Sequence, residues 1–390
     1  MTKSSMKSAI ETIAVSIHFF NFVLLGPTVI AVLVALLFTP IWIIPIVYAG
    51  WMYYDRNSEM VPGKKSLWVK NWIFWKIIRD YFPITLYKDG DSGKSDSSKG
   101  GDTIHLDPKN NYLLLNHPHG IICYGTYIAL GTEACGFSRM FPGIDSYTAA
   151  LNAIFKMPLW RDIVLSLGGR RVDRETFDNI LGGKAKGKLL TVIVGGAREA
   201  LDACPGRMDF VLRDRKGVFK LALKHGAHLV PCISFGENDI YEQEYRSEED
   251  SLKIFQKKIL KKIHFSVPYF RGRNFTLVPF RRPIFVVGEY YLSTIYFSSF
   301  LSLTFLEFFF TFPHHILISF RLPFIFYPII IRQLSTLFIT VGKPIQVSKE
   351  ENPTTEMVEK LQEIYIEKLT ELYHENKVRC GYEHVPLVIK

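Results

Sequence analysis

Between Glu11 and Asp55 the chain carries no Asp, Glu, Lys or Arg for 43 consecutive positions, which are mostly Ile, Val, Leu and Phe. No ordinary soluble surface has such a run, and it is too long for one bilayer crossing, which takes about 20 apolar residues. Thr39 and Pro40, with Pro45 further on, interrupt it. Two helices are therefore expected, forming a hairpin that enters and leaves the same membrane face. Lys3 and Lys7 precede the run, and Arg56, Lys64, Lys65 and Lys70 follow it. Basic residues on both flanks put both ends on the cytosolic side. A cleaved signal peptide is excluded, because its apolar region spans only roughly 7 to 15 residues. The expected layout begins with a cytosolic tail over 1–12 and a membrane hairpin over 13–54.

Composition agrees with a membrane contact. The 390 residues suffice for one large domain or two ordinary ones, and 48% of them are hydrophobic, high for a soluble enzyme. A net charge of +10 and a pI near 9.2 favour an anionic partner, whether nucleic acid, an acidic membrane surface or a phosphorylated cofactor. The five cysteines include no Cys-x-x-Cys pair, which argues against a disulfide framework or a zinc ribbon and for a reducing, cytosol-facing domain. The sequon Asn274-Phe275-Thr276 would be silent there.

After the hairpin, 55–88 is expected at the membrane interface, with Trp68, Trp72 and Trp75 at helical spacing in a helix from Trp68 to Arg79. Residues 89–102, nearly all Gly, Ser, Asp and Lys, form a flexible linker. Beyond it, strand-like runs (112–116, 189–194, 229–235) alternate with helical ones such as 217–225, which predicts an α/β domain with a largely parallel sheet. A last helix is expected over Thr355 to Asn376. The domain spans 103–287 and 341–390.

The segment 288–340 between those parts is foreign in character: Phe, Ile, Leu, Ser and Tyr dominate it, with only four charged residues. It is long enough for a second membrane hairpin. It also reads as translated intron. Gly288-Glu289-Tyr290 can be encoded with a splice donor and Ile339-Thr340-Val341 with an acceptor, and excision would join Phe285-Val286-Val287 to Val341-Gly342-Lys343-Pro344.

The run Tyr112-Leu-Leu-Leu-Asn-His-Pro-His-Gly120 puts a proline-stiffened polar turn at the carboxyl end of a buried strand, where open α/β sheets place their sites. Imidazole is the usual general base for an alcohol, and Gly120 admits a close neighbour. Other chemistries fit less well. Zinc would need a third ligand, but His105, His225 and His228 stand apart. Cys232-Ile-Ser234-Phe-Gly236 lacks the first glycine of a nucleophile elbow. Gly182-Gly-Lys-Ala-Lys-Gly187-Lys188 has Leu189 where a phosphate loop needs Ser or Thr. Two histidines satisfied in a core remain the structural alternative.

Several blocks resemble the second family of diacylglycerol acyltransferases, which includes monoacylglycerol and wax-alcohol acyltransferases. They are Tyr81-Phe82-Pro83, His117-Pro118-His119-Gly120, Phe141-Pro142-Gly143, Gly195-Gly196 with Glu199, Arg215-Lys216-Gly217 through Phe235-Gly236-Glu237-Asn238, Arg281-Arg282-Pro283, and Val341 to Ile345. The chain departs from the family at Val218-Phe219, where Phe-Val is usual, and at the insertion. A more distant likeness links Asn116-His117 to glycerophosphate-type acyltransferases, whose catalytic His is followed five residues later by Asp; here that position is Ile122.

The resemblance implies a glycerophosphate-acyltransferase-like, mostly parallel sheet with flanking helices. It implies acyl transfer from acyl-CoA to a glyceride hydroxyl at the endoplasmic reticulum membrane or a lipid droplet, with no metal, no other cofactor and no nucleic-acid partner. A homo-oligomer and an inactive membrane protein stay open. His117 and His119 are the paired candidates for the base, Glu199 for the carboxylate that orients the imidazole (Glu237 second), and backbone N–H groups at Gly120 for the oxyanion. Arg215, Lys216, Gly195, Gly196, Glu237 and Asn238 are assigned to substrate. Arg170, Arg171, Lys184, Lys186, Lys188 and Lys220 are further cations available to the CoA phosphates.

Overall fold

The computed structural model describes residues 3–88, 105–263, 265–281 and 338–390. The 89–102 linker and residues 288–337 of the foreign segment lie outside the described residues.

The apolar run forms an α-helix, Lys3–Phe20, that passes through a π turn, Asn21–Leu25, into Gly26–Leu36. Ser5–Leu36 is thus one helix, long and apolar enough to cross a membrane. The chain turns at Thr39 and Pro40, and a shorter apolar helix, Ile43–Tyr54, follows. Helix begins at Lys3, within the stretch expected as a tail. The second half of Lys3–Phe20, from Glu11 to Phe19, belongs to the globular body: Glu11, Ala14, Val15, His18 and Phe19 recur at one-face helical spacing and are all buried. From Phe20 outward, Val23, Leu24, Ile30, Val32 and Val34 are exposed.

The tryptophan-rich stretch divides into two helices, Leu67–Lys70 and Ile73–Tyr81. Ser66 caps the first by accepting from the Val69 amide. Trp68 faces outward, whereas Trp75 is buried and its indole N–H donates to the Val69 carbonyl at 2.7 Å. A single interfacial helix carrying all three rings is therefore not formed.

The strands are β1 Thr85–Lys88, β2 Tyr112–His117, β3 Asp145–Ala150, β4 Gly169–Arg171, β5 Lys188–Ile193, β6 Met208–Phe210, β7 His228–Phe235, β8 Glu242–Gln243, β9 Phe270–Arg271, β10 Phe338–Val341 and β11 Leu387–Ile389. Seven form one sheet in the order β1-β10-β7-β2-β5-β3-β4. From β7 to β4 all pairings are parallel, and β10 runs antiparallel to β7. The domain is thus α/β with a parallel-rich sheet.

β2 lies near the middle, and all six of its residues are buried, as expected of a strand covered on both faces. Its pleat separates two cores. Tyr112 and Leu114 join the N-terminal helix, Ile73–Tyr81 and Tyr124–Gly131; Leu113 and Leu115 join Arg174–Leu181, Lys216–His225 and Thr355–Asn376. The same parity sends Asn116 to the first face and His117 to the second.

Candidate active site

At the carboxyl end of β2 the two histidines part company. His117 is the last strand residue and is fully buried, its ring stacked on Phe210 at 4.9 Å and tilted against Tyr365 at 6.2 Å. Neither ring nitrogen has a hydrogen-bond partner among the described residues, and Nδ1 lies 3.9 Å from Glu199 Oε1. Past the cis His117–Pro118 peptide, His119 leaves the sheet and lines a cavity of about 1060 Å³. Its Nδ1 is 2.9 Å from the Gly120 carbonyl. A carbonyl only accepts, so this contact is a hydrogen bond in the tautomer with the proton on Nδ1 and the lone pair on Nε2; the Cys123 thiol lies 3.3 Å from the same Nδ1. Burial lowers His119 below the ordinary imidazole range, with the Gly120 carbonyl and Glu199 acting in the opposite direction. The ring is neutral near pH 7, as a base must be.

Glu199 holds this turn by its backbone. One carboxylate oxygen accepts from the His119 amide at 2.8 Å and the other from the Val211 amide at 2.7 Å. It therefore approaches the His117 ring and fixes the His119 main chain, but does not orient the His119 imidazole. Gly195 is what lets it in, since a Cβ there would sit 1.7 Å from Glu199 Cδ.

Gly120 has a matching reason to be glycine. Its φ is +61°, and a Cβ would come 2.6 Å from Glu237 Cγ. Glu237 is buried beneath the turn and accepts from the Gly125 amide at 2.8 Å, at the start of the Tyr124–Gly131 helix. Asn116 completes the underpinning: it donates to Thr126 at 2.6 Å and accepts from Ser234 at 2.9 Å.

The cavity has two linings. His18, Phe22, Phe265 and Phe270 contribute apolar and aromatic surface, while Arg174, Arg215, Lys220 and Lys224, with Asp173 and Asp214 beside them, contribute a polar wall of net positive charge. Arg215 donates to the Gly195 carbonyl at 2.9 Å, and its Nε is buried without a partner among the described residues. Gly196 also lines the cavity.

The other expected substrate residues lie elsewhere. Lys216 points away, pairing with Glu359 of the C-terminal helix at 2.6 Å on the surface. Asn238 donates to the Arg207 carbonyl at 2.8 Å. Arg170 is buried and donates to the carbonyls of Val61 and Gly169, so it serves the fold.

The sequence model of the family described as diacylglycerol acyltransferase matches residues 34–291 and 328–390. The chain belongs to the diacylglycerol acyltransferase family. It is similar to Danio rerio diacylglycerol O-acyltransferase 2, at 32% identity over 98% of this chain and 89% of the relative. To the Xenopus tropicalis protein of that name it is 40% identical over 74% of this chain and 78% of the relative. Homo sapiens 2-acylglycerol O-acyltransferase 1 is 32% identical over 98% of this chain and 96% of the relative. No solved structure matches. Membership makes the chain an acyltransferase, and residues 292–327, unmatched by the family model, lie within the 288–340 segment.

Two features of this acyltransferase were missed in the sequence. His18 is buried among Phe74, Trp75, Tyr124, Tyr127 and Trp160, with Nδ1 unpartnered among the described residues, and lines the same cavity as His119. The signal was available: a lone imidazole in an uncharged apolar run is a pointer to function. The other is the acid form of Glu237. Burial pushes its carboxyl up to about 8, opposed by the Gly125 and Tyr124 amides.

For a carboxyl raised in the folded state, stability falls as pH rises from the unfolded value near 4.3 to about 8 and is flat beyond. Glu237→Gln removes that slope. Melting temperatures from pH 5 to 9 should show the wild type losing ground to the variant up to about pH 8; a constant difference would contradict the assignment.

Proposed function

We propose that this family member transfers a fatty acyl group from acyl-CoA to the free hydroxyl of diacylglycerol, giving triacylglycerol, with His119 as general base. The observation that carries the reading is that His119, tethered through Nδ1 to the Gly120 carbonyl, lines a cavity with both an apolar and a cationic wall. The hydroxyl gives its proton to Nε2 as its oxygen attacks the thioester carbon. The tetrahedral oxyanion is met by backbone N–H groups at Gly120, and CoA leaves as thiolate, taking the proton from the imidazolium. No acyl-enzyme is needed. His117 and Glu199 are positioning residues beneath the turn.

The net positive wall suits the CoA phosphates, and Arg215 is its best placed member, because it lines the cavity half-buried and its Nε has no partner among the described residues. Arg215→Ala should raise the KM for acyl-CoA about tenfold or more, with a smaller change in kcat. An unchanged KM would remove Arg215 from the donor site.

The glycerophosphate-acyltransferase-like fold is supported by Asn116-His117 at the end of the central strand. The apolar helix supports membrane association, read here as the endoplasmic reticulum with the catalytic domain facing the cytosol, and lipid droplets after it. The names of the 2-acylglycerol relatives keep monoacylglycerol as the second acceptor. Thin-layer separation of products formed from labelled acyl-CoA with diacylglycerol, monoacylglycerol or a long-chain alcohol tests this. Triacylglycerol should dominate, and a wax ester or diacylglycerol as main product would overturn the acceptor.

The segment 288–340 is proposed to be dispensable. Its last three residues, Phe338-Ile339-Thr340, form β10 together with Val341. Removal would put Phe285-Val286-Val287-Val341 at the same four positions, equally apolar and β-branched. A chain lacking 288–340 should keep at least the full chain's activity in microsomes. Loss of activity on deletion would contradict this.

A further inference from the structure

A second apolar surface lies outside the N-terminal helix. Helix Ser251–Ile263 carries five lysines and no acidic residue; Lys253 turns inward to Asp202, while Lys258, Lys261 and Lys262 are exposed. On the same helix Ile254 and Phe255 are exposed, and after it come exposed Phe265, Val267, Tyr269, Phe275 and Leu277. Tyr269 is 72% and Phe275 83% exposed, values that place large rings in water unless something covers them. Phe275 is held out by a tight tip in which the Gly272 amide donates to the Thr276 carbonyl at 2.6 Å and the Arg273 amide to the Val278 carbonyl at 2.7 Å.

The position of this surface identifies what covers it. Phe19, at the point where the apolar helix leaves the globular body, contacts Phe270 at 6.4 Å and Tyr241 at 6.5 Å. Arg281, just beyond the tip, pairs with Glu11 of the same helix. On the same buried face, next to Phe19, His18 meets Phe74 and Trp75, beside which Trp68 and Ile73 are exposed. The helix therefore emerges beside two exposed aromatic patches, and a bilayer that takes the helix from Phe20 outward meets both.

We propose that helix Ser251–Ile263 and residues 265–277 form a second membrane-docking surface that rests on anionic lipid headgroups. Aromatic rings enter the interface and lysines face the headgroups, the pairing expected of an element lying in the membrane plane. The surface has a consequence for the cavity, because Phe265, Val267, Phe270 and Leu277 line it together with His18 and Phe22. Docking places that wall at the lipid level, so an acyl chain can pass from the bilayer between the apolar helix and the 265–277 loop. This holds for whichever glyceride the site accepts.

The test uses the full chain in nanodiscs. Phe275→Cys carries an environment-sensitive dye, and Lys360→Cys on the outer face of the C-terminal helix serves as the comparison site. The dye at 275 should emit in the blue and be quenched by spin-labelled lipid, more so with phosphatidylserine present; at 360 it should do neither. Adding Lys258→Glu, Lys261→Glu and Lys262→Glu should abolish the phosphatidylserine dependence. Water-like emission at 275 would overturn the proposal. Blue emission without quenching would overturn it too, because the ring would then be covered by protein, from a second copy or another chain. Lipid product from the same samples reports on the active site separately.

Discussion

His119→Ala is expected to lower kcat by about 10²- to 10⁴-fold, the range for loss of a positioned general base, with little change in melting temperature. The ring lines the cavity, so its removal leaves the packed cores alone. His117→Ala should behave in the opposite order. That ring fills space between Phe210 and Tyr365, and truncating a fully buried side chain of this size costs about 2 to 5 kcal/mol. Its activity loss should therefore track unfolding and shrink at low temperature. Because burial lowers His119, the acid limb of kcat/KM should fall below the ordinary imidazole value of about 6.5. An acid limb above that value would remove His119 as base, as would a His119→Ala variant that retained activity.

The second large effect is expected at the carboxylate that ties the turn down. Glu199→Ala leaves the His119 and Val211 amides without their charged acceptor, at about 1.5 to 3 kcal/mol per bond. Against a total stability of about 5 to 15 kcal/mol this is severe, and activity should fall with it. Gly195→Ala should be nearly as damaging for a steric reason, since its methyl group occupies the place of Glu199 Cδ. The two changes share one cause, so Gly195→Ala combined with Glu199→Ala should be little worse than Glu199→Ala alone. Denaturant titration of the four proteins gives the comparison. Additive losses would show that Gly195 acts through something other than Glu199.

The regular elements were largely legible because their signals are local. A continuous apolar run bounded by polar turns gives a strand covered on both faces, and β2, β5 and β7 lie within a residue or two of where such runs placed them. The C-terminal helix over Thr355–Asn376 has the expected bounds, with Thr354 as its cap. Thr39 and Pro40 mark the turn after the long apolar helix.

What the sequence withheld depends on contacts between distant elements. His117 and His119 are two residues apart and look equivalent, yet His117 ends a strand facing the C-terminal helix, while His119 has already left the sheet. Glu199 was expected to orient an imidazole, but Val211 and the His119 amide arrive at its oxygens from opposite sides. Lys216 resembled a phosphate ligand until Glu359, well over a hundred residues on, was found beside it. Trp75 reads like Trp68, and the arrival of His18 and Tyr127 from distant elements makes it core.

The central claim is that this cavity moves an acyl group with His119 as base. Microsomes expressing the wild type, His119→Ala or an empty vector, given labelled acyl-CoA and diacylglycerol, test it directly. Labelled triacylglycerol well above vector from the wild type, and at vector level from His119→Ala at equal protein abundance, is the predicted result. Equal label from wild type and His119→Ala, or none from the wild type both with and without residues 288–340, would contradict it.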